Sequence, residues 1–146
     1  MFVTYDGISS RRIARNGYDG KVKQGFDIGL GFDGDGDRLG VIDNQGNIVW
    51  ADQYMLLLCS EIANLYDKPK IIMDVKCSKV FFDEAKKINC EPIMSRTGHS
   101  PIKEKMKELN SPLSGEMSGH VCYGDDFYGY DDATVSYTHL TLPTKA

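Results

Sequence analysis

Phe32-Asp33-Gly34-Asp35-Gly36-Asp37-Arg38 lies between two apolar runs, Phe26-Asp27-Ile28-Gly29-Leu30-Gly31 and Leu39-Gly40-Val41-Ile42. Three aspartates alternate with glycines, and an arginine closes the run. In extended backbone, side chains two apart point the same way, so the carboxylates converge. Like-charge repulsion opposes that convergence unless a cation sits among them. The glycines let the chain curl around a small centre at little steric cost. Hard oxygen ligands with no soft neighbour suit magnesium, manganese or calcium. Arg38 adds a planar fork of donors suited to a phosphate beside the metal. The stretch reads as a divalent-metal site, formed by Asp33, Asp35 and Asp37, that acts on a phosphorylated ligand. The plainer reading is a solvated acidic turn, and an isolated Asp-Gly would deserve it. Strict alternation between two strands does not. A calcium loop of the EF-hand type needs glycine and glutamate where this chain has Arg38 and Asn44. A phosphatase loop of the haloacid-dehalogenase type needs threonine where Asp37 stands.

The rest of the composition narrows the class. The chain has 146 residues, 41% hydrophobic and 26% charged, enough for one ordinary core or parts of two. No apolar run is long enough to span a membrane. A net charge of -4 argues against a nucleic-acid surface, although lysines concentrate between Lys68 and Lys107. Cys59, Cys77, Cys90 and Cys122 are widely spaced, and are expected as buried thiols in a reducing compartment. No signal pattern follows Met1, so a cytoplasmic protein is expected.

Strands are expected at Phe26–Gly31 and Arg38–Asp43, with a hairpin turn over Asp43-Asn44-Gln45-Gly46-Asn47. Asp52 is expected to cap a helix with apolar positions at Tyr54, Met55, Leu58, Cys59, Ile62, Leu65 and Tyr66, which Pro69 stops. Then come a strand over Lys70–Val75, a helix over Ser78–Ile88 and a strand over Glu91–Ser95. A further helix has Ser100 at its N-cap and Pro101 in its first turn, with Ile102, Met106 and Leu109 on one face. Leu113–Glu116 and His120–Tyr123 complete the strands. The alternation predicts an α/β fold with a mixed, mostly parallel sheet flanked by helices. Ligands of such sheets gather at the carboxyl ends of the strands. Polar clusters fall there: Lys76, Arg96-Thr97-Gly98-His99 and Glu116-Met117-Ser118-Gly119-His120. Residues 1–24 read as an irregular lead-in, and residues 134–146 as a tail outside the fold.

His99 opens a helix where backbone N–H groups favour anions, and an imidazole titrates near neutrality, which makes it an acid/base candidate. Glu116, Ser118 and His120 alternate, so an extended loop sets an acceptor, a hydroxyl and an imidazole on one side to grip sugar hydroxyls. A polar hairpin turn is the plainer alternative there, and a surface lysine is the plainer reading of Lys76. The aromatics Tyr123, Phe127, Tyr128 and Tyr130 are expected mainly to pack their loop down.

Four motifs in order, Gly31-Phe32-Asp33-Gly34-Asp35-Gly36-Asp37-Arg38, Asp74-Val75-Lys76-Cys77, Thr97-Gly98-His99-Ser100 and Gly115-Glu116-Met117-Ser118-Gly119-His120, give a chain that resembles the α-D-phosphohexomutase superfamily, in particular its bacterial phosphomannomutase/phosphoglucomutase branch. The resemblance runs from about Phe26 to Ala133. It implies transfer of phosphate between the C1 and C6 oxygens of a hexose, through a phosphoserine and a bisphosphorylated sugar. It implies Mg²⁺ on Asp33, Asp35 and Asp37, with Arg38 beside the transferred phosphate. Glu116 and Ser118 would hold the sugar, Glu116 at its O3/O4 hydroxyls. His120 would lie near the reacting end, and Lys76 and His99 would manage the proton of the attacking hydroxyl. The ligand would be mannose or glucose phosphate. Family proteins have four domains, so residues 1–45 correspond to the end of the second, and 46–133 to most of the third. Residues 134–146 match nothing in that pattern and are expected to be a non-native tail. The phosphoserine loop and the phosphate clamp of the missing domains are expected in a longer parent enzyme, and this chain alone is expected to have no turnover. The alternatives are a non-catalytic divalent-metal-binding module and a phosphatase.

Overall fold

Lys70-Ile71-Ile72-Met73-Asp74 is apolar on both faces of a strand, which suits the middle of a covered layer. The computed structural model, which describes residues 3–4, 27–124 and 127–141, places it there. A first sheet contains β1 (Val3–Thr4), β2 (Ile28–Phe32), β3 (Leu39–Asp43) and β4 (Ile48–Val49), in that order. The second contains β5 (Lys70–Asp74), β6 (Glu91–Ser95), β7 (Leu113–Gly115) and β8 (Val121–Tyr123), in the order β6-β5-β7-β8. Among the described residues four helices accompany them: α1 (Ala51–Leu65), α2 (Lys79–Lys87), α3 (His99–Leu109) and α4 (Ala133–Thr141).

The expected mixed sheet is the second one: β5 runs parallel to β6 and β7, and β8 is antiparallel to β7. The first sheet differs, being antiparallel apart from β1 beside β2. Its β3–β4 hairpin forms where the turn chemistry predicts. The Asp43 carboxylate accepts the N–H groups of Gln45 at 2.9 Å and Asn47 at 2.8 Å. Of the lead-in, Val3–Thr4 pairs with β2, and the remainder lies outside the described residues.

Alternation along β5 sorts the helices onto two faces. Ile71 and Met73 join a core with Tyr54, Met55, Leu58 and Ile62 of α1 and Phe81 and Ala85 of α2. Ile72 points the other way, against Ile102 and Met106 of α3. Leu30, Phe32, Leu39 and Val41 of the first sheet belong to the same core as α1, so this helix joins the two sheets. Burying each such side chain contributes about 1.5–3 kcal/mol. Leu65 and Tyr66, expected on the buried stripe, are exposed because the helix ends at Leu65 and the chain turns extended at Tyr66.

Two caps also depart from expectation. Trp50, not Asp52, is the N-cap of α1, and its N–H donates to the Gln53 side chain at 2.8 Å. Asp52 sits buried in the first turn, where it accepts the Ser78 N–H at 2.9 Å. Helix α3 starts at His99 with Gly98 as its N-cap, two residues before the expected Ser100. Gly98 takes a φ of 125°, which only glycine adopts without strain.

The largest departure is at the end of the chain. Thr134 onward, expected outside the fold, continues α4 through Thr141. The Asp132 carboxylate caps it by accepting the N–H and hydroxyl of Thr134, at 2.8 and 2.6 Å. Ala133 and Ser136 are buried, and Val135, Tyr137 and Leu140 pack on the main core. The threonines and serine disguise the helix because their intrinsic propensity is low; capping and tertiary burial override it. Residues 142–146 lie outside the described residues.

Candidate functional site

The aspartate run leaves β2 at Phe32 and re-enters the sheet at Leu39, so both ends are anchored by the hairpin register Phe32 to Leu39. Within it the Gly36 N–H donates to the Asp33 carbonyl at 3.2 Å, with Gly36 at a φ of 74°. The Arg38 N–H donates to Asp33 Oδ1 at 3.1 Å. The loop is therefore a closed turn rather than extended chain, and it still brings carboxylate oxygens of Asp33, Asp35 and Asp37 within 4.8 Å of one another. Burial holds the Asp37 carboxyl above the usual carboxylate range; His120 opposes that shift, and Asp33 and Asp35 reinforce it. Arg38 Nε lies 3.2 Å from Asp33 Oδ2 and 3.6 Å from Asp37 Oδ1, close enough for charge attraction. Asp37 Oδ1 is nevertheless buried without a hydrogen-bond partner. Three convergent carboxylates, no thiol among them and an orphaned oxygen fit a hard divalent cation.

The Glu116–His120 segment is a tight turn, not the extended loop expected. The Gly119 N–H donates to the Glu116 carbonyl at 3.0 Å, and the Glu116 N–H to the His120 carbonyl at 2.9 Å. Ser118 Oγ donates to Glu116 Oε2 at 3.3 Å, so these two side chains do adjoin. His120 is directed elsewhere: its Nδ1 lies 3.1 Å from Asp131 Oδ2 and 3.4 Å from Asp37 Oδ2. The turn is joined to the aspartate loop through the Leu39 N–H, which donates to the Gly119 carbonyl at 3.2 Å, and through a bridge between Arg38 and His120. The buried Tyr54 hydroxyl donates to the Leu39 carbonyl at 3.2 Å beneath this junction. Gly119 has a φ of 99°, and a Cβ there would meet the Leu39 carbonyl oxygen at 2.9 Å. Only glycine allows that approach.

Helices α2 and α3 pack on opposite faces of the second sheet, and the strand order β6-β5-β7-β8 changes direction between β5 and β7, so the loops after β5, β6 and β7 gather at the carboxyl ends of these strands. Lys76, just after β5, and His99, at the start of α3, are both exposed at this end. Thr97 Oγ1 donates to Asp74 Oδ2 at 3.2 Å and ties their two loops together.

Sequence reading assigned no role to several residues that shape this region. Asp131 accepts from Lys103 Nζ at 2.5 Å and faces His120. Burial opposes its ionisation, but the Lys103 bond and charge prevail and hold its carboxyl below the usual range. Asp74, within a quoted motif, is buried under all three loops; Asp52 was read only as a cap. Apart from Cys77, three residues after Asp74, the partners of these two lie 23 to 43 residues away in the chain, beyond any local pattern. Of the aromatics, Tyr123 is buried, but Tyr128 and Tyr130 are exposed, so packing the loop accounts for only part of that run. The four cysteines are free and buried, as expected. Among the described residues, no helix is long and apolar enough to cross a membrane.

The chain resembles known proteins in sequence and in fold. The chain is 44% identical over 121 residues to a phosphomannomutase/phosphoglucomutase of Pseudomonas putida, a match covering 82% of this chain and 26% of that protein. It is 42% identical over 114 residues to a phosphoglucomutase of Neisseria gonorrhoeae, covering 78% of this chain and 25% of the relative. The crystal structure of a phosphoglucomutase/phosphomannomutase family protein from Burkholderia thailandensis superposes with a TM-score of 0.81 at 39% identity, covering 87% of this chain and 28% of the other. The chain thus spans about a quarter of the length of these relatives. The profile described as "Phosphoglucomutase/phosphomannomutase, alpha/beta/alpha domain III" matches residues 50–142, and the chain belongs to the phosphoglucomutase/phosphomannomutase family.

Proposed function

We propose that this chain is the part of a longer phosphohexomutase that supplies its metal loop and its sugar-binding loop, for interconversion of hexose 1-phosphate and hexose 6-phosphate. The observation that supports this reading is the junction of the two loops: the Leu39-to-Gly119 bond and the Arg38–His120 bridge join the aspartate loop to the Glu116–His120 turn. Residues 1–45 would belong to the second domain of such an enzyme and the segment from 46 through helix α4 to the third, in keeping with the domain III match over residues 50–142, with the remaining domains completing the site.

In this reading Asp33, Asp35 and Asp37 hold magnesium, which when bound neutralises charge on a transferring phosphoryl group. Arg38 offers its outer guanidinium nitrogens to the same phosphate. Glu116 accepts from sugar hydroxyls, and Ser118, hydrogen-bonded to it, fixes its orientation. His120, whose Nδ1 lies 3.1 Å from Asp131 Oδ2, would offer its other ring nitrogen for proton transfer near the reacting oxygen, and Lys76 and His99 would serve the same proton from the loops after β5 and β6. The ligand would be glucose or mannose phosphate. The chain by itself supplies no phosphoryl carrier among these residues, and no turnover is expected from it alone.

The test is to titrate the purified chain with magnesium and then with glucose 1-phosphate. Magnesium-dependent sugar-phosphate binding that Glu116→Ala abolishes, with metal binding intact, is the expected result. Metal binding with no sugar-phosphate affinity would leave a non-catalytic metal-binding module. Phosphate release dependent on Asp33 would make the protein a phosphatase.

A further inference from the structure

Asp74 ends β5 with 1% of its surface exposed, and among the described residues no cation pairs with it. Burying a carboxylate without a counter-charge is costly unless donors surround it. Three do, each from a different loop. Oδ1 accepts the Cys77 S–H at 3.0 Å and the Met117 N–H at 3.2 Å; Oδ2 accepts the Thr97 hydroxyl at 3.2 Å. These donors belong to the loops that follow β5, β6 and β7. Each adjoins a candidate site residue: Lys76 lies between Asp74 and Cys77, His99 is two residues after Thr97, and Glu116 and Ser118 flank Met117. Asp52 braces the first loop from below through the Ser78 N–H.

We propose that Asp74 is a positioning residue that sets the three loops in register, so that Lys76, His99 and the Glu116–Ser118 pair address one ligand. A carboxylate suits this task because it only accepts, and so turns every neighbouring donor inward. Asparagine has nearly the same shape but is neutral and puts an NH2 donor where one acceptor oxygen stood, so the bonds to Cys77 and Met117 lose their ionic acceptor and the one to Thr97 must reverse. The inference rests on the sugar-phosphate reading for what the loops bind, but not for the register itself.

The experiment compares the 146-residue chain with Asp74→Asn and Thr97→Val, reading amide hydrogen exchange, melting temperature and titration with glucose 1-phosphate in magnesium. In Asp74→Asn, exchange at Met117 should rise about tenfold, with the amides of β5 unchanged, and glucose 1-phosphate affinity should fall about tenfold. A lowered melting temperature with affinity intact makes Asp74 a purely structural residue and overturns the proposal; so does unchanged protection at Met117. Thr97→Val removes only the Oδ2 bond and serves if Asp74→Asn does not fold. It should lower affinity about threefold while Met117 stays protected, and wild-type affinity in that variant also overturns the proposal. Should the wild-type chain bind no glucose 1-phosphate, the sugar-phosphate reading fails instead. Exchange at Met117 in Asp74→Asn, or at Gly98 in Thr97→Val, then decides the positioning role alone, and the same unchanged protection overturns it.

Discussion

Two groups of carboxylates lie at this end of the molecule, and they are built in opposite ways. Asp74 is buried, stands alone and has its oxygens met by donors from three loops. Asp33, Asp35 and Asp37 crowd one another near the surface, and an oxygen of Asp37 has no donor at all. The first arrangement is complete without a ligand. The second carries unresolved repulsion that an added cation would relieve. Counting donors around each oxygen therefore separates a carboxylate that organises the fold from one that awaits something outside it, which burial alone does not do.

Mutations should reverse sign between the two groups. Asp74→Ala orphans three donors and is expected to cost about 3 kcal/mol, measured by urea unfolding. A loss under about 1 kcal/mol would show that the loops find other partners. The junction between the groups is the next point of attack. Gly119→Ala forces a side chain into a φ of 99° and against the Leu39 carbonyl, and should cost about 2 kcal/mol while separating the loops. Asp37→Asn should go the other way, stabilising the metal-free chain by about 0.5 kcal/mol while magnesium affinity falls about tenfold.

Acid titration sharpens the same contrast. The Asp37 carboxyl is raised in the folded chain, so its ionisation imposes a penalty that develops as pH rises through 3.8 and is absent well below it. The advantage of Asp37→Asn over the wild type should accordingly shrink as pH falls through the raised folded value and be gone well below 3.8, in chelated buffer. Asp131, whose carboxyl is lowered by Lys103, behaves inversely. Its contribution is fully present above 3.8 and is lost as pH falls through the depressed folded value. Asp131→Asn should flatten that acid limb, which is the smallest effect of the series and is visible in melting temperature against pH.

Strong local periods were legible without coordinates. The β5 run, the stripe of α1 from Tyr54 to Ile62 and the Asp43 turn are encoded by neighbours within a few residues, and each formed as expected. The aspartate–glycine alternation likewise announced a convergent carboxylate cluster, though it achieves that through a closed turn. Helix α4 had no such signal, because its threonines and serine resist helix formation until Asp132 caps it and the core accepts Val135 and Leu140.

What the chain determined by itself is thus where the strands and helices with strong local periods lie, and which residues are candidates for metal and sugar. Tertiary structure alone decided how these residues are oriented: that His120 faces Asp131, that Gly119 lies against Leu39, and that Asp74 holds Met117 from 43 positions away. The physical reason is range. Periodicity and turn chemistry act within a few residues, whereas the orientation of a site is set by hydrogen bonds whose partners meet only after the sheet has formed.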